Sequence, residues 1–431
     1  MNTAYLPLKS PNRARWIIWS LYALILLVAP LMFSSSLAMT MLSQMGYVII
    51  ICLSYNILLG QGGMLSFGHA VYTGLGAFIA IHALNLIGKG ALPLPVSLLP
   101  LVGGLAGMFF AALLGYVTTK KSGTTFAMIT LGIGELVASM ALMFPGFFGG
   151  EGGITTDRMV GKPFLGITFG PQIQVYYLIA IYCFICTAAM YAFTRTPLGR
   201  MLNAVRDNPE RVEFIGYDTQ RVRYLSFIIA GFFAGIGGGL TVINFEIITA
   251  MDSVSSVRSG GYLLFTFLGG ATFFFGPIIG AVLLVLASVL LSELTIAWLL
   301  YLGLVFLFMV MYAPGGIASL IMMNVRVARF GLLHRLWLCY LGLAVAALMM
   351  LMGGGAMIEM IYHLQLNAAL GPELKFVGMT LNAKAPSSWI GAGLLLLIGL
   401  GLFELVRRRF VRVWDRVQAD IETEIKRKEA L

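Results

Sequence analysis

Eleven apolar runs, each about as long as a bilayer is thick, leave this chain few ways to fold in water. They lie near 16–36, 41–60, 64–87, 94–118, 124–144, 173–194, 224–247, 262–291, 294–313, 336–355 and 388–406. A hydrocarbon core about 30 Å thick takes roughly 20 apolar residues to cross as a helix. Backbone groups find no water there, so each crossing must close its own hydrogen bonds. Composition agrees: 59% of the 431 residues are hydrophobic and 11% charged, against roughly 45–50% and about 25% in soluble domains. The expected fold is an all-α polytopic membrane protein with about ten transmembrane helices plus re-entrant half-helices.

Positive charge is gathered just as sharply. Most of the 28 Lys and Arg fall in five clusters: Lys9, Arg13 and Arg15; Lys120 and Lys121; Arg195, Arg200, Arg206, Arg211, Arg221 and Arg223; Arg326, Arg329 and Arg335; and eight from Arg407 to Lys428. Loops rich in Lys and Arg stay cytoplasmic, so the net charge of +10 reports orientation in a lipid bilayer rather than a nucleic-acid partner. With all five clusters on one side, an even number of crossings must separate neighbours. That puts 145–172 and 356–387 outside and both termini in the cytoplasm. Parity holds across 224–325 only if 262–291 is two segments. Gly269-Gly270 and Gly276-Pro277 interrupt that run, and a proline costs a helix interior about 3 kcal/mol. Whether the halves cross separately or re-enter is left open by the sequence. Irregular backbone at this depth is tolerated where it is buried in protein or lines a wet cavity, so the break is a candidate for a passage.

One charged segment, 195–223, stands between two greasy runs. Arg195, Arg200, Arg206 and Arg211 stand there with Asp207, Glu210, Glu213 and Asp218. Its local signals are those of short helices. Thr196 is placed as an N-cap with Pro197 at the first helical position. Leu198, Met201, Leu202 and Val205 form a one-sided apolar stripe. Asn208-Pro209 opens a second helix and Gly216 stops it. Helices this short are marginal alone, so packing must hold them. A folded handle in water implies that something outside the membrane grips it; the plainer alternative is a solvated amphipathic loop.

A second interruption runs from Leu59 to Gly76, with six glycines around Gln61, Ser66 and His69. A pair of Gly- or Pro-broken apolar segments, one in each half, points to a transporter site; close helix packing through small residues is the alternative. Glu135 sits mid-run, where a carboxylate costs about 2.5–3.5 kcal/mol and should face a partner or water. Glu246 and Glu293 lie nearer the ends of their runs. Gly231, Gly235 and Gly239 recur every fourth residue, marking a face for close approach within or between subunits.

Several chemistries are not indicated. The four cysteines, Cys52, Cys183, Cys186 and Cys339, all fall in apolar runs and read as packing residues rather than a redox or disulfide framework. No phosphate-binding loop occurs, since Gly88-Lys89 lacks the upstream glycine and the following hydroxyl. No catalytic constellation and no metal site is expected. The first run has an apolar length closer to an uncleaved anchor than to a signal peptide of about 7–15 apolar residues.

Five stretches in order then resemble one family. They are Thr196 to Asp218; Gly60-Gln-Gly-Gly-Met-Leu-Ser-Phe-Gly-His-Ala70; Thr130-Leu-Gly-Ile-Gly-Glu135; Gly149-Gly-Glu-Gly-Gly-Ile154; and Gly269 to Pro277. They are similar to branched-chain amino acid ABC transporter permeases of the LivM type, from about residue 40 to Gly316. The resemblance implies an ABC importer permease in a bacterial inner membrane. Its partners would be a second homologous permease, two cytoplasmic ATPases that use the ATP, and an extracytoplasmic substrate-binding protein. This chain itself would hold no cofactor. Branched-chain amino acids or related small polar solutes are the implied cargo.

On that reading 196–216 is the coupling segment, with Gly199, Arg200, Arg206, Asp207 and Gly216 as its key residues. Its apolar stripe would seat in the ATPase and its arginines would pair with acids there. Gly62, Gly63, Ser66, His69 and Glu135 would line the path, with Gly276-Pro277 as a hinge. Residues 1–325 would form the permease domain, 326–406 two additional spans and 407–431 a charged cytoplasmic tail. In that tail Phe410, Trp414, Val417, Ile421 and Ile425 share a helical face, suited to a partner or membrane surface, or to capping the last span. The competing function is an ion- or proton-coupled secondary transporter with Glu135 and His69 as its relay.

Overall fold

The computed structural model describes residues 12–160, 168–366, 371–376 and 378–429; Lys9 of the first basic cluster lies outside them. The first helices are α1 (Asn12–Met32), α2 (Ser36–Asn56), α3 (His69–Gly88), α4 (Leu99–Thr118), α5 (Gly123–Met143), a single turn α6 (Pro145–Phe148) and α7 (Gln172–Phe193). The handle is α8 (Pro197–Asp207) and α9 (Pro209–Phe214), followed by α10 (Thr219–Phe245), α11 (Ala250–Ser253), α12 (Ser256–Gly269) and α13 (Gly276–Leu286). The chain ends with α14 (Ser292–Leu294), α15 (Trp298–Tyr312), α16 (Gly316–Arg329), α17 (Trp337–Leu366) and α18 (Pro386–Glu429). Among the described residues ten helices are long and apolar enough to cross a membrane, or eleven if the bent pair α15 and α16 counts as one span. The all-α polytopic architecture is as expected. Its packing falls into two units, residues 1–286 with 314–318, and residues 287–313 with 319–431.

In the first unit α10 is the axis, and its glycines decide why. Gly231, Gly235 and Gly239 face α4, where Gly103 and Gly107 answer them. A methyl on Gly107 would lie 2.9 Å from the Gly235 Cα, and one on Gly103 would lie 3.1 Å from the Gly239 nitrogen. The opposite side of α10 is as close: a methyl on Gly238 would lie 3.0 Å from the Ala77 nitrogen of α3, and one on Gly237 3.0 Å from Ile51 Cδ1 of α2. In lipid, helix association relies on such backbone approach rather than on expelling water. The glycine face therefore serves this subunit's own core. Cys183 and Cys186 of α7 are free and buried, and the Tyr22 hydroxyl of α1 lies 3.1 Å from Cys183 Sγ.

The 262–291 run resolves into two legs. α12 has 14 residues and is about 21 Å long at 1.5 Å per residue, too short to cross alone. It is a half-helix, and the return leg from Gly276 to Leu294 is a candidate span. Gly270 turns the chain with φ +112°. A two-stranded pairing of β1 (Ile154–Thr155) with β2 (Ile247–Ile248) ties the loop after α6 to the end of α10.

In the second unit α18 is one continuous helix of 44 residues. Val417 and Ile421 pack with Val327 and Leu336, flanked by Phe410, Trp414 and Ile425. Arg335 Nη1 meets Asp420 Oδ2 at 2.6 Å. The apolar face of the tail is thus covered by the elbow after α16. Nearby spans share a polar contact, in which Thr295 and Tyr301 hydroxyls donate to Glu359 Oε1. A hairpin of β3 (Glu373–Phe376) and β4 (Met379–Asn382) joins α17 to α18.

The glycine axis yields a test. Gly235→Val should cost about 1–3 kcal/mol by overpacking and lower the unfolding midpoint of detergent-purified protein. Gly132→Ala, with nothing within 4 Å of the added methyl, should not lower it.

Candidate functional site

The handle folds as its local chemistry dictates. Thr196 Oγ1 accepts from the Gly199 N–H at 3.2 Å and caps α8. Asn208 Oδ1 accepts from the Arg211 N–H at 3.1 Å and caps α9. Pro197 and Pro209 open the two helices, where a missing N–H is no loss. Gly216 has φ +90°, a left-handed stop that favours glycine. Nothing lies within 4 Å of a methyl built on it, so its demand is conformational. Gly199 instead needs space, since a methyl there would strike the Phe193 carbonyl oxygen where α7 ends.

The apolar stripe divides: Leu202 and Val205 turn inward onto this chain, while Leu198 and Met201 stay part-exposed and Met201 lines the outward side. Leu202 is 0% and Val205 4% exposed, and a methyl on Gly62 would lie 3.1 Å from Leu202 Cδ1. This chain itself supplies the packing that such short helices require. The outward side carries further residues. Phe214 is 88% exposed, Ile215 66% and Tyr217 52%. Beside them Arg195, Pro197, Arg200, Met201, Ala204 and Ile215 line an open groove of about 430 Å³. Arg195 is held over the Tyr191 ring, 4.6 Å from its centroid, while Arg200 is exposed. Sequence reasoning missed Phe214, Ile215 and Tyr217; three large apolar or aromatic side chains around a helix stop were the available signal.

Arg206 reaches back to this chain as well, although its side chain stays 36% exposed. Its Nη1 donates to the Gly60 carbonyl oxygen at 2.5 Å, and its Nε and Nη2 each lie 2.9 Å from Asp207 Oδ1. Gly60 belongs to a π-helical turn, Ile57–Gln61, that ends α2. The chain leaves this turn through Gly63 at φ +62°. Beyond it, irregular backbone is satisfied by side chains. The Tyr55 hydroxyl donates to the Ser66 carbonyl at 2.7 Å and accepts from the Ser66 N–H at 3.2 Å. The Phe67 N–H donates to Thr130 Oγ1 at 3.1 Å, and the Ala70 N–H to Ser259 Oγ at 2.9 Å.

The proposed path residues do not form one cluster. Ser66 and His69 are fully buried, with His69 Nε2 2.9 Å from Ser54 Oγ and its ring edge-on to Tyr55. They belong to the core around the break. Glu135 lies instead on the exposed face of α5 with Met128, Gly132 and Leu136. Among the described residues it has no ion pair or hydrogen bond, so at mid-span it demands water or a polar partner surface. Gly276 packs its backbone on the carbonyls of Gly269 and Gly270, and Pro277 lies in the first turn of α13.

α5 packs against α11 and α12, where Arg258 Nη1 lies 3.7 Å from Asp252 Oδ1. Sequence reasoning missed this ion pair by starting the run at 262. The Ser255 cap, whose Oγ accepts from the Arg258 N–H at 3.3 Å, was the signal that the helix begins earlier.

Asn208→Ala should raise the rate of limited proteolysis within 208–218 roughly fivefold, the effect of about 1 kcal/mol of lost capping. An unchanged rate would mean that α9 is held by its packing alone.

Residues 37–314 match the family model described as branched-chain amino acid transport system, permease component. The high-affinity branched-chain amino acid transport system permease protein LivM of Escherichia coli (strain K12) is 26% identical over 290 residues, 62% of this chain and 67% of that one. The probable branched-chain amino acid transport permease protein LivH of Methanocaldococcus jannaschii is 23% identical over 229 residues, 53% of this chain and 71% of that one. The nucleoside ABC transporter permease protein NupC of Lactococcus lactis subsp. cremoris is 24% identical over 219 residues, covering 47% and 65%. No solved structure gives a significant match.

Proposed function

Because the chain belongs to the permease-component family of branched-chain amino acid transport systems, we propose that it is the membrane subunit of an ATP-driven importer in a bacterial inner membrane. The cargo on this reading is a branched-chain amino acid or a related small polar solute. A second homologous permease stands beside it, two cytoplasmic ATPases grip the handle, and an extracytoplasmic binding protein delivers substrate. Both termini lie in the cytoplasm, and ATP is used by the partner subunits alone. The relative named for nucleosides leaves the cargo resting on the family description and on the likeness to LivM.

The observation that carries the reading is the two-sided handle. Its inner face is sealed onto this chain, while its outer face presents Phe214, Ile215 and Tyr217 beside the cationic groove of Arg195 and Arg200. An apolar centre with a basic rim suits an acidic, groove-filling partner element. The second permease is assigned to the face of α5, α11 and α12, where Glu135 would line the passage between subunits. Alternating access then amounts to rocking that face as the handle moves. An ion-coupled relay through Glu135 and His69 is disfavoured by the sealing of His69 into the core.

Arg200→Glu combined with Ile215→Asp should abolish both co-purification of the ATPase and uptake, with membrane insertion intact. Undiminished uptake, or uptake that survives ATP depletion but collapses with an uncoupler, would defeat the reading.

A further inference from the structure

We infer that Arg206 is a clamp within this chain, which makes the handle and the two broken membrane segments move as one body. The inference rests on the handle being the ATP-driven element, and it assigns Arg206 a positioning role rather than a docking one. Three observations carry it. The Arg206 guanidinium bonds the Gly60 carbonyl at 2.5 Å, at the end of a helix whose final carbonyls lack helical partners. The next available donors turn elsewhere: the Gly62 and Met64 N–H groups bond Leu58, and the Gly63 N–H bonds Leu59. A cation there also answers the negative end of the helix dipole.

The second observation is the fit around the arginine. Gly63 at φ +62° brings the turn so close that a methyl on it would lie 2.8 Å from Arg206 Cγ. Asp207 holds the other edge of the guanidinium at 2.9 Å, fixing which nitrogen reaches Gly60. Third, the contact continues past Gly60. Asn56, one helical turn earlier, donates from Nδ2 to the Ala271 carbonyl at 2.7 Å, and a methyl on Gly60 would strike both groups. Ala271 lies in the turn between α12 and α13. A displacement of α8 is thereby delivered to the end of α2 and to the hairpin of α12 and α13 together.

The test uses the complete transporter in proteoliposomes, scoring ATPase association, ATP hydrolysis and substrate taken up per ATP. Arg206→Met should keep association and hydrolysis while uptake per ATP falls roughly ten- to hundredfold, the scale of one charge-assisted hydrogen bond. Arg206→Lys, which keeps a cation without the fork, should fall between it and the wild type. Asn56→Ala should uncouple in the same way, and the double variant should be no worse than the poorer single one. Wild-type uptake per ATP in Arg206→Met, loss of ATPase association, or multiplicative effects in the double variant would each overturn the clamp. Should Arg206→Met fail to insert, Asp207→Asn carries the test: a lowered ratio supports the clamp and a wild-type ratio overturns it. If Arg200→Glu with Ile215→Asp leaves ATPase association intact, the docking surface is refuted separately.

Discussion

Backbone that leaves the helix at membrane depth has to find its hydrogen bonds inside the protein, because lipid offers none. In this chain that demand gathers around the turn that ends α2 and the climb to α3. Tyr55 serves Ser66, Thr130 serves Phe67, Ser259 serves Ala70 and Asn56 serves Ala271. These donors and acceptors come from α2, α5 and α12, so the break cannot form until those helices have assembled. The same bonds make it a place where several elements are tied at one depth. Gly60 is the exception, its carbonyl being met by a cation from the handle. The charged handle and the break in the apolar run are therefore one hydrogen-bonded structure.

The break can be mobile only if something beside it is not. The glycine contacts of α10 with α2, α3 and α4 supply that frame, since backbones packed at van der Waals distance leave no side chains to repack. Sliding α4 along α10 would drive Gly103 and Gly107 into neighbouring backbone. Motion is thus channelled into elements outside that frame: the handle, the hairpin of α12 and α13, and α5. Those elements carry the outward groove, the second break and the unpaired Glu135.

What could be read from the sequence follows from how local each signal is. Thr196, Pro197, Asn208, Pro209 and Gly216 each act within about one helical turn, so both helices of the handle were legible in full. The break at Gly269 to Pro277 was legible because glycine and proline have few other uses in an apolar run. The direction of the Leu202 and Val205 stripe was not, because an amphipathic helix reports that it has a partner and not which one. Arg206 was read only as a docking arginine for the same reason: a positive charge near a membrane surface reads as solvent-facing, and its side chain is indeed 36% exposed, but the carbonyl it also bonds is visible only in the structure. His69 and Ser66 were assigned to the path by their polarity, and only their neighbours Ser54 and Tyr55 show that both are buried, with His69 Nε2 and the Ser66 backbone bonded and His69 Nδ1 and Ser66 Oγ left without partners among the described residues. The ion pair of Arg258 and Asp252 was lost by counting hydropathy from the first long apolar residue rather than from the Ser255 cap.

On the proposed function the handle is a lever between a motor and a membrane, which must be fastened at both ends, and the two fastenings ask for different chemistry. The outer one has to form between separate proteins, which suits exposed apolar side chains and a shallow basic groove. The inner one has to hold through each cycle in a half-wet place, where the partner is a lone carbonyl rather than a carboxylate. Arginine answers this better than lysine. Its planar fork can donate to Gly60 from one nitrogen while Asp207 holds the others, whereas an ammonium is a single flexible point of charge. Asp207 adds little by itself, since an exposed pair is worth at most about 1 kcal/mol. Its contribution is orientation, and Gly63 leaves room for the arginine stem where any side chain would crowd Arg206 Cγ.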